Sequence, residues 1–385
     1  MVASTNYTDL AYDKETVFGK TDATPTFTLL PTTGGSPVNN VTTAVSEVIR
    51  SDRQTDDLVV VDGDISGDLN YELSYAPYKD FIESVLMNTT TRSITLTTVT
   101  NDGTSNSAII GKSGIEGDCL VGDVIRLASS ADSTINGEYV VTALGTNEVT
   151  IYPATGATTS LSDLTVSADD IRVNGADNIQ GYTIRKKVEE TGTPYYFYYR
   201  GCAVNSMNFN FATGSILNGS VGIVGLTEEA RTTILTGENA DTPTPAYSIM
   251  NSVSSVGVIN IAGVSATFSS IDITIDNQIN AAKAIGTLGA VDLAAFSLNV
   301  TANAEVYFSD LDLYNKFLAA QSFSVTLIMT DIDGNTIGIN LPKCKFETLD
   351  TPISGKDAFL MQSGTIKALR DVTGDYMVKI TRIDA

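Results

Sequence analysis

Asp68-Leu69-Asn70-Tyr71-Glu72-Leu73 alternates polar and apolar residues and leads, after a short connection, into residues 77–87, which carry Tyr78-Lys79-Asp80-Phe81. Glu305-Val306-Tyr307-Phe308 leads in the same way into residues 310–321, which carry Tyr314-Asn315-Lys316-Phe317. Period-two alternation places successive side chains on opposite faces of a half-buried strand. The segments that follow are read as helices. In the first, Pro77 suits a helix start, and Phe81, Ile82, Val85 and Leu86 make one apolar stripe. In the second, Ser309 or Asp310 is the expected N-cap, with Leu313, Phe317 and Leu318 on one face. The chain thus repeats a strand–helix unit with Tyr-x-x-Phe in the helix.

The match continues downstream. Residues 181–185, a turn at Glu190-Thr191-Gly192, the run Tyr195-Tyr196-Phe197-Tyr198-Tyr199 and Gly201-Cys202 correspond to residues 323–329, the turn Asp331-Ile332-Asp333-Gly334, residues 337–341 and Lys343-Cys344. A repeat of this size predicts a duplicated domain. Phe81 and Cys202 are 121 positions apart, whereas Phe317 and Cys344 are 27 apart, so 94 extra residues lie between helix and hairpin in the first copy. They read as a small all-β domain with strands at 93–99, 123–127, 137–141 and 148–152, and a tight turn at Ile135-Asn136-Gly137. A Thr- and Pro-rich linker, 236–245, separates the two large units. The expected division is a first domain of 1–88 with 168–246, an inserted β-domain at 89–167, and a second domain at 247–385.

Composition narrows the function. The 385 residues include 23 basic and 45 acidic ones, a formal net charge of −22. Such a chain is poorly suited to gripping nucleic acid through phosphate neutralisation. There is no His and no Trp. His-based triads, His acid/base chemistry and His metal sites are therefore excluded. The three cysteines, Cys119, Cys202 and Cys344, are too far apart for a CxxC site and odd in number, so neither a disulfide framework nor a thiolate metal site is expected. Synthesis in a reducing cytosol is expected. The N-terminus lacks the basic-then-apolar pattern of a secretory signal, and no apolar run approaches the ~18 residues of a membrane span.

Candidate chemistry is sparse. Asp62-Gly63-Asp64-Ile65-Ser66-Gly67-Asp68 concentrates carboxylates, as a calcium loop would, but lacks the bidentate Glu that closes an EF-hand. A Gly-bearing turn with solvated acids is the favoured reading. Asp331-Ile332-Asp333-Gly334-Asn335 reads as a hairpin turn. Gly19-Lys20-Thr21 and Gly111-Lys112-Ser113 lack the earlier Gly of a phosphate loop, since Lys14 and Asn106 stand there. With so many acids some pair can always be drawn for glycosidase work, and nothing in the sequence selects one. No enzyme activity, cofactor or metal is expected. The aromatic run 195–199 belongs either between two layers or at a subunit interface.

Several stretches together resemble the major tail tube proteins of long-tailed, non-contractile bacteriophages. They are Gly63-Asp64-Ile65-Ser66-Gly67-Asp68-Leu69-Asn70-Tyr71-Glu72-Leu73, then Tyr199-Arg200-Gly201-Cys202-Ala203-Val204-Asn205-Ser206-Met207-Asn208-Phe209 with Gly219-Ser220-Val221-Gly222-Ile223-Val224-Gly225. The others are Phe268-Ser269-Ser270-Ile271-Asp272-Ile273-Thr274-Ile275-Asp276-Asn277 and Tyr307-Phe308-Ser309-Asp310 with its helix. Their order and duplication carry the likeness. It implies a mainly β chain of two tail-tube-type β-sandwich domains, each with a short helix, plus the inserted domain as an outer decoration.

The resemblance also implies a role. Copies would join sheets side by side into a ring around a channel, and rings would stack into a tube that conducts DNA out of the virion. The partners implied are the chain itself, a tape measure protein, tail terminator and tail tip proteins, and genomic DNA in passage only, with no membrane. The location is the virion, after assembly in the host cytoplasm. With two domains per chain, three chains fill six slots, and six chains are the competing arrangement. Candidate lumen-lining acids are Asp64, Asp68, Glu72, Asp272, Asp276 and Glu305. The candidate inter-subunit strand is Tyr195, Tyr196, Phe197, Tyr198 and Tyr199. The Pro- and Gly-broken stretch 24–40, with Pro25, Phe27, Leu29, Pro31 and Pro37, is the candidate inter-ring arm. The alternatives are a secreted or surface adhesive β-protein, which calls for a secretion signal, and a carbohydrate-binding or carbohydrate-active protein, which calls for stacked aromatics beside converging carboxylates.

Overall fold

The computed structural model describes residues 4–385 apart from 53, 103–108, 154–160, 177, 190–191, 262–266 and 354. It is mainly β, with 52% of residues in strands and 7% helical. The first repeat supplies β1 (Thr8–Lys14), β2 (Thr28–Leu29), β3 (Val38–Val45), β4 (Leu58–Glu72) and helix α1 (Lys79–Val85). The inserted stretch supplies β5 (Arg92–Asp102), β6 (Ile109–Gly111), α2 (Ile115–Asp118), β7 (Val124–Ala128), β8 (Gly137–Gly145), β9 (Glu148–Tyr152) and β10 (Leu161–Val173). The first repeat resumes with β11 (Tyr182–Val188), β12 (Tyr195–Ala212), β13 (Asn218–Gly225) and β14 (Thr227–Arg231). The second repeat holds β15 (Val256–Ile261), β16 (Phe268–Asp276), β17 (Asn280–Lys283), β18 (Ala290–Ala294), β19 (Asn299–Tyr307), α3 (Asp312–Leu318), β20 (Phe323–Thr330), β21 (Thr336–Asp350), β22 (Met361–Ala368) and β23 (Lys379–Ile383).

The two long strands, β12 and β21, organise the repeats. The first half of β12 pairs with β11 and β14, and its second half with β13 and β16. The first half of β21 pairs with β20 and β23, and its second half with β22. Each strand changes sheets at its cysteine. Register slips mark the change at the same places in both: Tyr182/Ile184 in one hairpin and Phe323/Val325 in the other, then Val204/Ser206 and Phe346/Thr348. Such bulges bend a strand and raise its twist. At the first bend Gly201 has φ +61, and a Cβ there would sit 2.7 Å from the Leu226 side chain, so only glycine fits.

Beyond the bends, the strands form one antiparallel sheet in the order β3–β4–β13–β12–β16–β19–β22–β21. Each repeat contributes four strands, and the repeats meet at β12–β16. Alternation dictates what the sheet buries. Leu69, Tyr71, Met207, Phe209, Val221, Ile273, Ile275, Val300 and Ile366 all point into one core. Phe81, Ile82 and Val85 of α1 enter that core, and α1 rests on β12 as α3 does on β21. Each such large apolar side chain contributes roughly 1.5–3 kcal/mol.

The inserted stretch has its own core, including Ile110, Val124, Ile125, Val140, Ile151 and Val166. It interrupts the first repeat in sequence yet docks on the second. β10 pairs with β23, Ile171 opposite Thr381, and Ile328 and Ile383 join the insert's core. Asp123 is buried there, accepting from Lys379 Nζ at 2.8 Å and from Arg92 Nη2 at 2.5 Å.

Some sequence expectations need correction. Asp62-Gly63-Asp64 is no turn but the interior of β4, paired with β3 on one side, just before the stretch from Ile65 onward that also pairs with β13. Ile135-Asn136-Gly137 is not a tight hairpin turn. β7 and β8 are joined by residues 129–136, in which Ile135 is buried and Asn136 Oδ1 accepts from the Ser129 amide at 2.7 Å. Helix α3 buries only Leu313, and Leu318 is 64% exposed; its N-cap is Leu311, and Asp310 Oδ1 accepts from the Asp312 amide at 2.9 Å instead. The 236–245 linker is pinned to its own chain: the Thr242 amide donates to Phe27 O and Asn239 to Pro25 O. Of the expected turn Glu190-Thr191-Gly192, the first two residues lie outside the described residues.

Candidate functional site

The sheet's other face is mostly polar, with Val38, Ala212, Tyr307 and Met361 at its margins. On β4 the residues facing away from the core are Asp62, Asp64, Ser66, Asp68, Asn70 and Glu72. Register carries the face onward: Asn218 lies opposite Glu72, Ser220 opposite Asn70, Asn208 opposite Ser220 and Thr274 opposite Asn208. It continues with Thr301 opposite Thr274, Asn303 opposite Asp272, Glu305 opposite Ser270, and Thr365 opposite Asn303. The last strand shows Lys345, Thr348 and Asp350. All six candidate lumen acids, Asp64, Asp68, Glu72, Asp272, Asp276 and Glu305, therefore share one face of one sheet. Asp62 and Asp350 join them, and the lysines on that face are Lys345 and Lys367. Asn, Ser and Thr fill the positions between.

The face is continuous through the joint between repeats. Asn208 Nδ2 donates across it to Asp272 at 2.9 Å and to Thr274 Oγ1 at 3.0 Å. At the joint's end the Asn277 amide donates to Asn205 O at 2.8 Å, and Ile279 N donates to Asn205 Oδ1 at 2.6 Å. Asn277 Nδ2 also donates to Val85 O, tying the last turn of α1 to the joint. Asn205 is the bulged residue of β12, so the irregularity itself supplies the grip. Lys283 bridges Asp62 and Asp64 (2.8 Å to the latter), and this contact together with the Gly63 N–H holds the Asp62 carboxyl below its ordinary range.

Both outer strands have an open side. Among the described residues β3 pairs only with β4, and the second half of β21 only with β22. Beyond the sheet, β3 and β4 run on as a hairpin that is exposed on both faces, with Val41, Val45, Leu58, Val59, Val60 and Val61 uncovered. An isolated two-stranded ribbon is marginal in water.

The remaining candidates fall elsewhere. The aromatic run occupies an interior strand: Tyr196 and Tyr198 pack with Phe27 on one face, Phe197 and Tyr199 enter the main core on the other, and Tyr195 is 52% exposed. Phe27 is fully buried, Pro25 and Pro37 are buried, and Leu29 and Pro31 are half-buried. Tyr78 donates to Pro31 O at 2.6 Å. This stretch covers its own chain, and what projects is the hairpin beyond Pro37. Sequence reading did not single that hairpin out; its signal is the apolar run Leu58-Val59-Val60-Val61 lacking a polar alternate. Among the described residues, no group of three or more His, Cys, Asp or Glu is placed to hold a metal ion.

The family model for phage tail tube proteins matches residues 5–368, nearly the whole chain. The chain belongs to that family. It is accordingly a structural component of a phage virion tail. No curated protein matches it. The matched range takes in the first repeat with the insert that interrupts it and the second repeat as far as β22, so the tail tube assignment covers the eight-stranded sheet in full. Among the described residues no helix is long and apolar enough to cross a membrane.

Proposed function

We propose that copies of this chain close into rings and stack as a tail tube, with the polar face of the eight-stranded sheet lining the channel. The observation that carries this is that face: acidic, unbroken across the repeat joint, and ending in an open strand on each side. Unpaired edges are costly to leave exposed, and closure into a barrel removes them. Three chains of eight strands give a barrel roughly 50 Å across between opposite backbones at ordinary strand spacing and tilt. That bore admits a duplex; six chains would double it, so the ring of three is favoured.

Acids on the wall suit passage. A duplex is a dense polyanion, which a basic wall would bind through counterion release and an acidic one repels. In this reading the tube is a conduit for DNA ejection, holds a tape measure protein beforehand, meets terminator and tip proteins at its ends, and is assembled in the host cytoplasm without catalysis. The exposed hairpin of β3 and β4 is the arm that reaches a neighbouring copy. The chain divides into tube domains at 1–88 with 168–246 and at 247–385, with 89–167 as an outer domain.

The test is negative-stain electron microscopy of the purified protein at high concentration. Rings or tubes with a central channel are expected. A protein that stays monomeric under all conditions would overturn the proposal.

A further inference from the structure

The chain makes one inter-repeat joint with itself and carries the two halves of a second, unmade. The joint β12–β16 sets Ser206 opposite Asp276, Met207 opposite Ile275 and Asn208 opposite Thr274. Both of its strands have counterparts in the other repeat, and the pairings fix which residue corresponds to which.

The bulges align β12 with β21. Val204 and Ser206 straddle one slip opposite Ile223 and Gly222, and Phe346 and Thr348 straddle the other opposite Ile366 and Thr365. Ser206 therefore corresponds to Thr348, and Gly222 to Thr365. Gly222 faces Asp68, and Thr365 faces Asn303, which aligns β4 with β19. Asp64 then corresponds to Asn299. Asn40 faces Asp64 and Asp276 faces Asn299, so Asn40 corresponds to Asp276. An isolated bridge between Gly34 and Asn70 matches the pair Ser270 and Glu305 and keeps the same alignment. The connections that follow are also of nearly equal length: residues 41–63 in one repeat, 277–298 in the other.

From this we infer that the second half of β21 pairs antiparallel with β3 of a second copy, with Thr348 opposite Asn40, Leu349 opposite Asn39 and Asp350 opposite Val38. The inference rests on the ring reading above and adds its register. Both edges are unpaired among the described residues, and all six residues are exposed or half-exposed. Face parity agrees. Thr348 and Asp350 lie on the polar face, as do Asn40, opposite Asp64, and Val38, opposite Ser66. A slip of one residue would turn one strand's core side to the channel.

Paired cysteines test the register. Directly opposite residues hold their Cβ atoms about 4.5–5.5 Å apart, within reach of oxidation or a short bis-maleimide. The double variant N40C/T348C is expected to link chain to chain in assembled tubes, giving bands of two chains and then a closed set, three for a ring of three. S206C/D276C calibrates the chemistry, since it should link within one chain and leave the mass at one chain. N40C/D350C, displaced by two residues, should link far less. Tubes that link through N40C/D350C rather than N40C/T348C would overturn the register and leave the tube reading standing; a protein that forms no rings would overturn both. If the cysteine variants fail to assemble, hydrogen exchange on the unmodified chain decides. Amides in 38–40 and 348–350 should gain protection on assembly, and edges that exchange as fast in tubes as in free chains would overturn the inference.

Discussion

The thiols of Cys202 and Cys344 make the same contact in the two repeats, each donating to the carbonyl three residues back: Tyr199 O at 3.5 Å and Leu341 O at 3.7 Å. Each sits where its long strand bends and exchanges its first set of partners for the eight-stranded sheet. Two residues, Arg200 and Gly201 in one case and Pro342 and Lys343 in the other, are squeezed out there opposite a single partner. A small, weakly polar side chain fits this corner because it can be fully buried while still using its hydrogen.

That environment predicts inert thiols. Burial raises Cys202 well above its ordinary value and pushes Cys344 and Cys119 up to about 12. The thiolate is the reactive form, so little of it exists at pH 8. A thiol reagent at pH 8 should leave the native protein unlabelled and label three sites after denaturation. Rapid labelling of the native chain at either strand corner would contradict the fold described.

The duplication was legible because paired features survive in order: Tyr-x-x-Phe, the hairpin and the cysteine. The buried stripe of α1 was legible because it spans one helix face. Asp62-Gly63-Asp64 misled because acids and glycine suggest a turn, whereas pairing with β3 keeps the segment extended within β4 and its acids simply alternate with Gly63 and Ile65. Phe27 lay in a stretch that looked loose because Pro and Gly interrupt it; nothing local reveals that Tyr198 and Arg185 would receive it. The insert's attachment was least legible. It rests on Asp123 meeting Lys379, residues whose closeness only the β10–β23 pairing creates.

That buried contact predicts a large mutational effect. Asp123 and the Lys379 side chain are both nearly inaccessible, and burial lowers the Lys379 pKa even though Asp123 opposes the shift. Removing one partner strands the other's charge, which costs about 3–5 kcal/mol, whereas replacing both with apolar groups is often tolerated. Asp123→Ala should lower the urea midpoint substantially, and Asp123→Leu with Lys379→Met should recover most of the loss. Equal stability of Asp123→Ala and the parent would show that the contact does not hold the insert.

Acid should loosen the β17–β18 hairpin where Lys283 ties it to β4. Lys283 and the Gly63 amide depress the Asp62 carboxyl, so the folded state binds this proton less readily than the unfolded chain. The contribution is complete above the unfolded value of about 4 and is lost as pH falls through the lower folded value. Hydrogen exchange in residues 280–294 should therefore speed up, relative to intrinsic rates, once pH drops below about 4. Lys283→Met should show the faster exchange at neutral pH and no further change on acidification. Identical profiles for parent and variant would assign the order of the β17–β18 hairpin to its buried Leu293 and Ala290 instead.

The proposed channel wall offers the most direct functional prediction. Asp68, Asp272 and Glu305 sit on three strands of the polar face with Asn, Ser and Thr between them, and none of the three is in a salt bridge among the described residues. Reversal to lysine at all three positions changes the wall by six charges per chain while leaving the core face untouched. Each lysine that meets a phosphate releases counterions, so duplex affinity should rise and then fall steeply as salt is added, with a log–log slope near −0.9 per contact. Tubes of the parent should retain no duplex at low salt. Tubes of the triple variant should retain it at about 50 mM salt and release it by several hundred millimolar. Retention by the parent and the variant alike, independent of salt, would place the acids away from the bore.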